Sequence, residues 1–346
     1  MDIKKYRYWI FVFGGFLFIY FLLVSVHYYN LYFSANINTK KDRLLYIKTG
    51  SDFQAVMDSL KRNDLLLDTA SFIKVSNSYG YPKKVKSGCY KLKRGMSNRT
   101  LVRLLMTATQ TPVRVTFNNI RTPEQLAGKI SKQLEIDSIS FINYFRNIKI
   151  SEAYGYVPET LISMFIPNTY EFYWNVDLKS FLDRMQKEHS KFWNESNYEK
   201  AKLLGLTREQ VSTLASIVEE ETNKRDEKAR VAGVYINRLR KNMPLQADPT
   251  IKFALGDFTI KRLWTKHLEV NSPYNTYKHY GLPPGPICCP SISSLEAVLN
   301  YEVHQYYYFC AKDDFSGYHV FAKTLTEHNR NAMDYQRALD KEKIYK

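Results

Sequence analysis

The strongest constraint on this chain is a run from Tyr8 through Thr39 that contains no Asp, Glu, Lys or Arg. Its densest part, Tyr8 to Val26, is almost wholly aromatic, aliphatic and Gly. A bilayer's hydrocarbon core is about 30 Å thick and takes about 20 helical residues to cross, so the run predicts one transmembrane helix over residues 8–28. Lys4, Lys5 and Arg7 precede it, which by the positive-inside rule makes residues 1–7 a cytoplasmic tail and places the rest beyond the cell (inner) membrane. A cleaved signal peptide would show an apolar stretch of about 7 to 15 residues and a small-x-small site. Here the flank is Val26-His27-Tyr28-Tyr29-Asn30, and Tyr28, Tyr29 and Tyr32 suit an interfacial belt, so the run reads as an uncleaved single-pass anchor.

The remainder is long enough for two or three domains. Of the 346 residues, 45% are hydrophobic and 24% charged, which excludes a fibrous or mostly disordered chain. Lys and Arg number 50 against 34 acids, a net +16 that predicts attraction to polyanions. Nucleic acid, anionic lipid and an acidic wall polymer all qualify, and the outward placement argues against nucleic acid. Four cysteines make no disulfide framework, and the adjacent pair Cys288-Cys289 lacks a second pair to hold zinc. No metal or cofactor is expected: the chain has no H-E-x-x-H, P-loop, G-x-S-x-G or dinucleotide fingerprint. Ser71-x-x-Lys74 and Lys48-Thr-Gly50 imitate penicillin-binding-protein motifs in the wrong order, a chance match.

Periodicity predicts an α+β chain. Residues 29–42 read as a linker. Strand 44–48, helices from Asp52 and Asp68, and strand 89–93 form a small βααβ module within 43–110. Ser97 caps a further helix. A connecting α/β region over 111–200 opens with strand Val113–Phe117 and a helix begun by Thr122-Pro-Glu-Gln125. Helices at about 137–147 and 178–193 flank an ordered loop at 165–170. In the last region, 201–346, Thr207-Arg-Glu-Gln210 opens a helix running to about Thr222, and Asp226 caps the next. Loops at 245–250 and 271–287, a strand pair at 307–311 and 318–321, and a helix from about Thr326 complete the chain. His319 and His328 stand near that pair as possible polar site residues, though surface histidines are the default.

The chemistry concentrates in Glu219-Glu220-Glu221. At 100° per residue, Glu221 falls on the apolar side of its helix, three residues after Val218, while Glu220 faces away and reads as solvated. A carboxyl driven into an apolar surface has its acid form favoured, as a general acid requires. The plainer reading is a glutamate paired with a buried cation. Glu219 and Glu221 point about 200° apart and cannot flank one glycosidic bond. A two-carboxylate hydrolase would need a partner from elsewhere, and Asp248 is the candidate, with an Asx turn before Pro249 as its structural alternative. Tyr274-Asn-Thr-Tyr277 and the rigid Gly281-Leu-Pro-Pro-Gly285 suit sugar binding by ring stacking and amide contacts, or a packed structural turn.

Six segments, LASIVEEET, VAGVYINRL, LQADPT, YNTY, GLPPGPI and the closing YYYF…HVFAKTLTEHN, together resemble the MltG-type (YceG-like) endolytic murein transglycosylases. SGCYKLKRGMSNRTLVRLL resembles that family's LysM-like subdomain, and FIPNTYEF its FPDTY-like segment. The resemblance implies a mixed α+β YceG-like catalytic domain over 201–346 and a LysM-like module. It implies a membrane-anchored enzyme that cuts peptidoglycan glycan strands internally and leaves 1,6-anhydro-N-acetylmuramic ends. Peptidoglycan, the membrane and peptidoglycan synthases are the implied partners. The family's catalytic glutamate falls on Glu221. Glu219 is implied as a supporting or substrate contact, and Gln246, Asp248, Asn275 and Tyr277 as cleft residues. Cys288-Cys289 and Asn168 depart from the family pattern. A two-carboxylate hydrolase and a non-catalytic glycan-binding scaffold are the competing functions.

Overall fold

The computed structural model describes residues 3–260 and 262–342, so the first two residues of the predicted cytoplasmic tail lie outside the described residues. Contacts divide the chain into two compact units. The first takes residues up to 114 with 133–135 and 171–176, and the second takes 115–132, 136–170 and 177 onward.

The first unit begins with α1 (Ile3–Phe33). Its segment Arg7–Phe33 is long and apolar enough to cross a membrane, with a mean hydropathy of 2.4. The helix runs five residues past the predicted Tyr28, and the stretch read as a linker is built into the fold. Ala35 and Ile37 form antiparallel bridges with Ser97 and Leu66. Buried Asn36 donates to Asp68 O at 2.8 Å and Asn98 Oδ1 at 2.6 Å, and accepts from Asp68 N at 2.6 Å. A buried amide left unpaired costs about 1–3 kcal/mol, so this network fixes where the helix hands over to the module.

The βααβ order is as predicted. Strand β1 (Arg43–Ile47) pairs antiparallel with β2 (Gly88–Leu92), Leu45 opposite Tyr90. Between them lie α2 (Phe53–Arg62) and α3 (Thr69–Ser78), where Asp52 and the predicted cap Asp68 accept first-turn amides. Ser97 caps α4 (Asn98–Thr107). Leu45, Leu60, Phe72, Val75, Tyr90 and Leu101 meet in its core.

Beyond this module, β3 (Val113–Phe117) pairs with β4 (Asn168–Phe172). Sequence reading made 165–170 a loop because Pro167 hides the alternation. Residues 165–167 are irregular as expected, but from Asn168 the chain is a strand in which Tyr170 and Phe172 are buried between outward neighbours, and Thr116 Oγ1 meets Thr169 Oγ1 at 2.8 Å. Helices α5 (Pro123–Ser131), α6 (Ser138–Phe145), the short α7 (Ile148–Ala153), α8 (Leu178–Phe192) and α9 (Glu195–Leu204) follow.

The second unit is organised on α10 (Arg208–Glu221), opened by the predicted Thr207/Gln210 capping box. Every residue from Val211 to Val218 is buried. Against it pack α11 (Lys228–Arg240), α12 (Asp248–Leu255) and α14 (Ile292–Leu299), with the four-residue α13 (Thr265–Leu268) between the last two. Strands β5 (Tyr308–Ala311) and β6 (His319–Ala322) form the expected antiparallel pair, and Thr324 caps α15 (Leu325–Lys341). Two expectations are corrected. Asp226 does not cap α11: Glu227 holds that position without a side-chain bond, and Asp226 accepts from Tyr318 Oη at 3.1 Å. Residues 245–250 are not all loop, since Asp248 opens α12, helped by Pro249 in the first turn.

Gly233 explains how α11 is placed. A Cβ there would lie 2.4 Å from Glu302 O and 2.6 Å from His304 Nε2. The 302–304 segment seals that face of the helix, with Glu302 N donating to Ala229 O at 3.0 Å and His304 Nε2 lying 2.9 Å from Arg230 O. Forced overpacking costs about 1–3 kcal/mol, so Gly233→Ala should lower the melting temperature by several degrees, read by calorimetry. An unchanged melt would show that the 302–304 segment yields freely.

Candidate active site

Helix α10 stops at Glu221 because Thr222 turns extended, with φ −143° and ψ 136°. Thr222 is then held from below. Its hydroxyl donates to buried Glu227 Oε2 at 3.2 Å, and the same carboxylate accepts His319 N at 2.8 Å and meets His319 Nδ1 at 2.7 Å. The last carboxyl of the helix therefore projects from a fixed stub into a cleft of about 370 Å³. Tyr235 and Arg238 of α11, Gln246, Asp248 and Tyr277 line one part of it. Tyr308 and Phe309 of β5 and Leu325 and His328 of α15 line the rest.

Within this cleft, Tyr235 Oη donates to Glu221 Oε1 at 2.5 Å. Burial pushes the Glu221 carboxyl up to about 7, from an ordinary 4.5. The Tyr235 bond pulls it down, the Asp248 charge pushes it up, and Lys252 and Arg238 pull it down again. Tyr235 is itself buried, and burial and the adjacent Glu221 hold its phenol well above 10, so it stays a donor. Sequence reading placed Tyr235 among core residues of α11. No sequence signal marked its hydroxyl, although it lies fourteen residues after Glu221, on the helix packed alongside.

Asp248 and Tyr277 are brought together: Tyr277 Oη donates to Asp248 Oδ1 at 2.5 Å. Burial and then this bond drive the Tyr277 phenol upward. The segments that carry the pair are stitched by Gln246 N to Thr276 O at 3.0 Å and Ala247 N to Thr276 Oγ1 at 3.0 Å. Gln246 reaches the cleft through a left-handed backbone, φ 49°. Asn275 does not face the cleft. It is fully buried and braces its own turn, donating to Leu268 O and Val270 O at 2.8 Å each and accepting from Tyr277 N at 3.0 Å.

Glu219 is also turned elsewhere. Its Oε2 accepts from Lys228 Nζ at 2.9 Å and from the Ser291 and Ser294 hydroxyls. Burial pushes its carboxyl up, but those hydroxyls and Lys228 outweigh it and hold the group below its ordinary range, so it is an ionised bracket joining α10, α11 and α14. Glu220 is not solvated as the helix wheel predicts. Arg121 grips it with Nε at 3.2 Å and Nη2 at 2.8 Å.

Arg238 and His328 were not expected in the wall from sequence, His328 only as a vague polar candidate. Arg238 Nε donates to Tyr307 O at 2.6 Å and Nη1 to Leu245 O at 2.7 Å, tying β5 to the approach of α12. Its guanidinium lies 5.3 Å from the Tyr308 ring centroid, and that ring stacks on His328 at 5.4 Å. Burial, then the Arg238 charge, lowers the His328 pKa, so the ring is held neutral. His319 pairs with Glu227 instead. The departing pair Cys288-Cys289 is buried beneath α10, Cys288 Sγ meeting Ser216 O at 3.5 Å.

The profile of the YceG-like family matches residues 45–334. The chain belongs to the YceG-like family. The endolytic murein transglycosylase of Bacillus subtilis (strain 168) is 31% identical to it over 308 residues, covering 84% of this chain and 83% of that protein. That of Streptococcus pneumoniae serotype 2 (strain D39) is 26% identical over 329 residues, covering 86% of this chain and 59% of that protein. A crystal structure of a YceG-like protein from Listeria monocytogenes aligns with a TM-score of 0.58 at 27% identity, covering 84% of this chain and 99% of that one. Two closing motifs of the YceG-like sequence therefore meet in space: β5 and the start of α15 roof the carboxyl that ends α10.

The raised Glu221 pKa has a stability consequence. A carboxyl that holds its proton better folded than unfolded favours folding most below about pH 4.5, and that advantage is lost as pH rises through about 7. Glu221→Gln should therefore stabilise the protein more at pH 8 than at pH 5, by an amount on the order of 2 kcal/mol, read from denaturant melts at both pH values. Equal effects at the two pH values would remove the buried-acid account.

Proposed function

We propose that this protein is a membrane-anchored lytic transglycosylase that cuts peptidoglycan glycan strands internally and limits the length of nascent strands. The bond cut is that between N-acetylmuramic acid and N-acetylglucosamine, and the new end is 1,6-anhydro-N-acetylmuramic acid. The observation that carries this reading is one carboxyl, Glu221, poised near pH 7 and hydrogen-bonded by Tyr235 in an open cleft. The names of the Bacillus and Streptococcus relatives support the same substrate class.

The chemistry follows from that carboxyl. Tyr235 occupies Oε1, which leaves Oε2 to carry the exchangeable proton. Protonated Glu221 donates to the bridging oxygen as the C1–O bond breaks and positive charge develops at C1. The resulting carboxylate is stabilised by the Tyr235 hydroxyl. It then takes the proton from the muramic C6 hydroxyl as that oxygen closes onto C1. One group thus serves as acid and then base, and no water is consumed. The apolar helix α1 and its basic N-terminal flank support a single-pass anchor with this cleft on the outer side of the membrane.

Asp248 in the same cleft favours one competing reading, a hydrolase in which a second carboxylate activates water. Mass spectrometry of digested peptidoglycan separates the two, because hydrolysis adds one water and leaves a reducing end. Anhydro-ended fragments are expected from the wild type. General acid–base catalysis contributes about 10²- to 10⁴-fold, so Glu221→Gln should lose at least about a hundredfold in rate while keeping its fold. Undiminished release of anhydro-ended fragments by that variant would contradict the assignment of Glu221 as the acid. In Tyr235→Phe, loss of the bond that lowers the Glu221 pKa should move the alkaline limb of the kcat/KM profile upward from about pH 7 while kcat falls. A limb shifted downward would contradict the assigned hydrogen bond.

A further inference from the structure

The net charge is unevenly distributed. Residues 34–114 hold 16 Lys and Arg against five Asp and no Glu, whereas residues 115–346 hold 31 against 28 acids. Among the described residues of 34–114, one ion pair forms, Lys91 with Asp42 at 3.0 Å, so most of that excess is uncompensated.

The same unit is fastened to the end of α1. Tyr32 Oη donates to Ser78 Oγ at 3.0 Å, Asn98 Nδ2 donates to Leu31 O at 3.0 Å, and the Arg99 guanidinium lies 5.1 Å from the Phe33 ring centroid. These contacts also hold both ends of α3 against the end of α1. At its start, Ser71 meets Asn36 and Asn98, the latter bonded to Leu31 O. At its end, Ser78 bonds to Tyr32, whose ring is 6.4 Å from that of Tyr79.

Two residues after Tyr79 begins the turn Tyr81-Pro-Lys-Lys-Val-Lys86, whose three lysines, Lys83, Lys84 and Lys86, are all exposed. The turn is held in place: Tyr81 is fully buried with its ring 5.9 Å from that of Phe53, and Lys84 N donates to Tyr81 O at 2.8 Å. Tyr28 and Tyr32, stacked at 4.3 Å, mark the interfacial belt of the spanning helix beside the end of α3. The headgroup layer adds about 5–7 Å to each side of a 30 Å core, and charges act across about 8 Å at physiological salt. Three lysines on a turn that starts beside that belt complement lipid phosphates in charge.

We propose that the Lys83–Lys86 turn, together with Arg99, is a docking surface for anionic phospholipid headgroups that holds the first unit down on the membrane. The proposal rests on the reading of α1 as a membrane span. The bilayer is favoured over a wall polymer because the anchor fixes the turn beside it, whatever else the charge attracts. Each basic residue near an anionic surface is worth about fivefold in binding, so the three lysines together supply roughly a hundredfold.

The test uses the full chain in nanodiscs of phosphatidylcholine with or without phosphatidylglycerol, footprinted by lysine acetylation and mass spectrometry. Lys83, Lys84 and Lys86 should react at least fivefold more slowly in the anionic discs, and 0.5 M salt should abolish the difference. Lys61, exposed on α2, serves as the reference and should not change. Insertion with equal reactivity in both discs would overturn the proposal alone. Recovery of the chain outside the discs would overturn the anchor reading and the proposal with it. Equal protection by free polyphosphate in zwitterionic discs would also overturn it, in favour of an anionic polymer.

Discussion

The hydrogen bond from Tyr235 to Glu221 is the interaction on which the catalytic unit depends. The proposed reaction asks one carboxyl to be neutral when it meets the bridging oxygen and charged a moment later. Burial alone would favour the neutral state and strand the second. A full ion pair would do the reverse, as Lys228 does to Glu219. A neutral phenol that cannot ionise itself lies between these extremes, lowering the pKa without fixing the charge. The surrounding fold serves to hold two oxygens at 2.5 Å. The extended Thr222, clamped by Glu227 and His319, fixes where α10 ends, and Gly233 lets the 302–304 segment close over the helix that carries Tyr235.

Three consecutive glutamates show how completely environment decides chemistry. Glu219 is bracketed by hydroxyls and an ammonium, Glu220 is forked by Arg121, and Glu221 is left with a phenol. Helical geometry requires this divergence, since each step of 100° faces a different neighbour. Titratable groups whose surroundings push their pKa values apart mark acid and base roles, and here the separation occurs within a single turn.

How much of this was legible follows the range of the interactions. Local signals were read correctly: the Thr207/Gln210 box, the caps at Asp68 and Ser97, and the apolar position of Glu221 are set within four residues of chain. Partners far away in sequence were not. Arg121 is 99 residues from Glu220, and nothing in the helix wheel reports it. Asn275 reads as a sugar-binding amide until its three bonds to its own turn are seen. Asp226 has the chemistry of a cap, but Tyr318 takes its carboxylate. Strand β4 was missed because Pro167 sits beside a short alternating run, and α12 because a Pro in a first turn looks the same as a Pro in a loop.

The state of Asp248 bears on why one carboxyl suffices. An inverting hydrolase needs a second carboxylate free to take a proton from water, and a retaining one needs it free to attack C1. The Tyr277 hydroxyl occupies Asp248 Oδ1 at 2.5 Å, so one of its two oxygens is already committed to a protein donor. Its charge still acts at a distance and is one of the causes that raise the Glu221 pKa. The charge of Asp248 thus helps keep the Glu221 proton on, a role that needs no chemical step of its own. In the proposed reaction the base is the carboxylate that Glu221 becomes, and the nucleophile is a hydroxyl already on the sugar, which arrives with the substrate and needs no second protein group to deliver it.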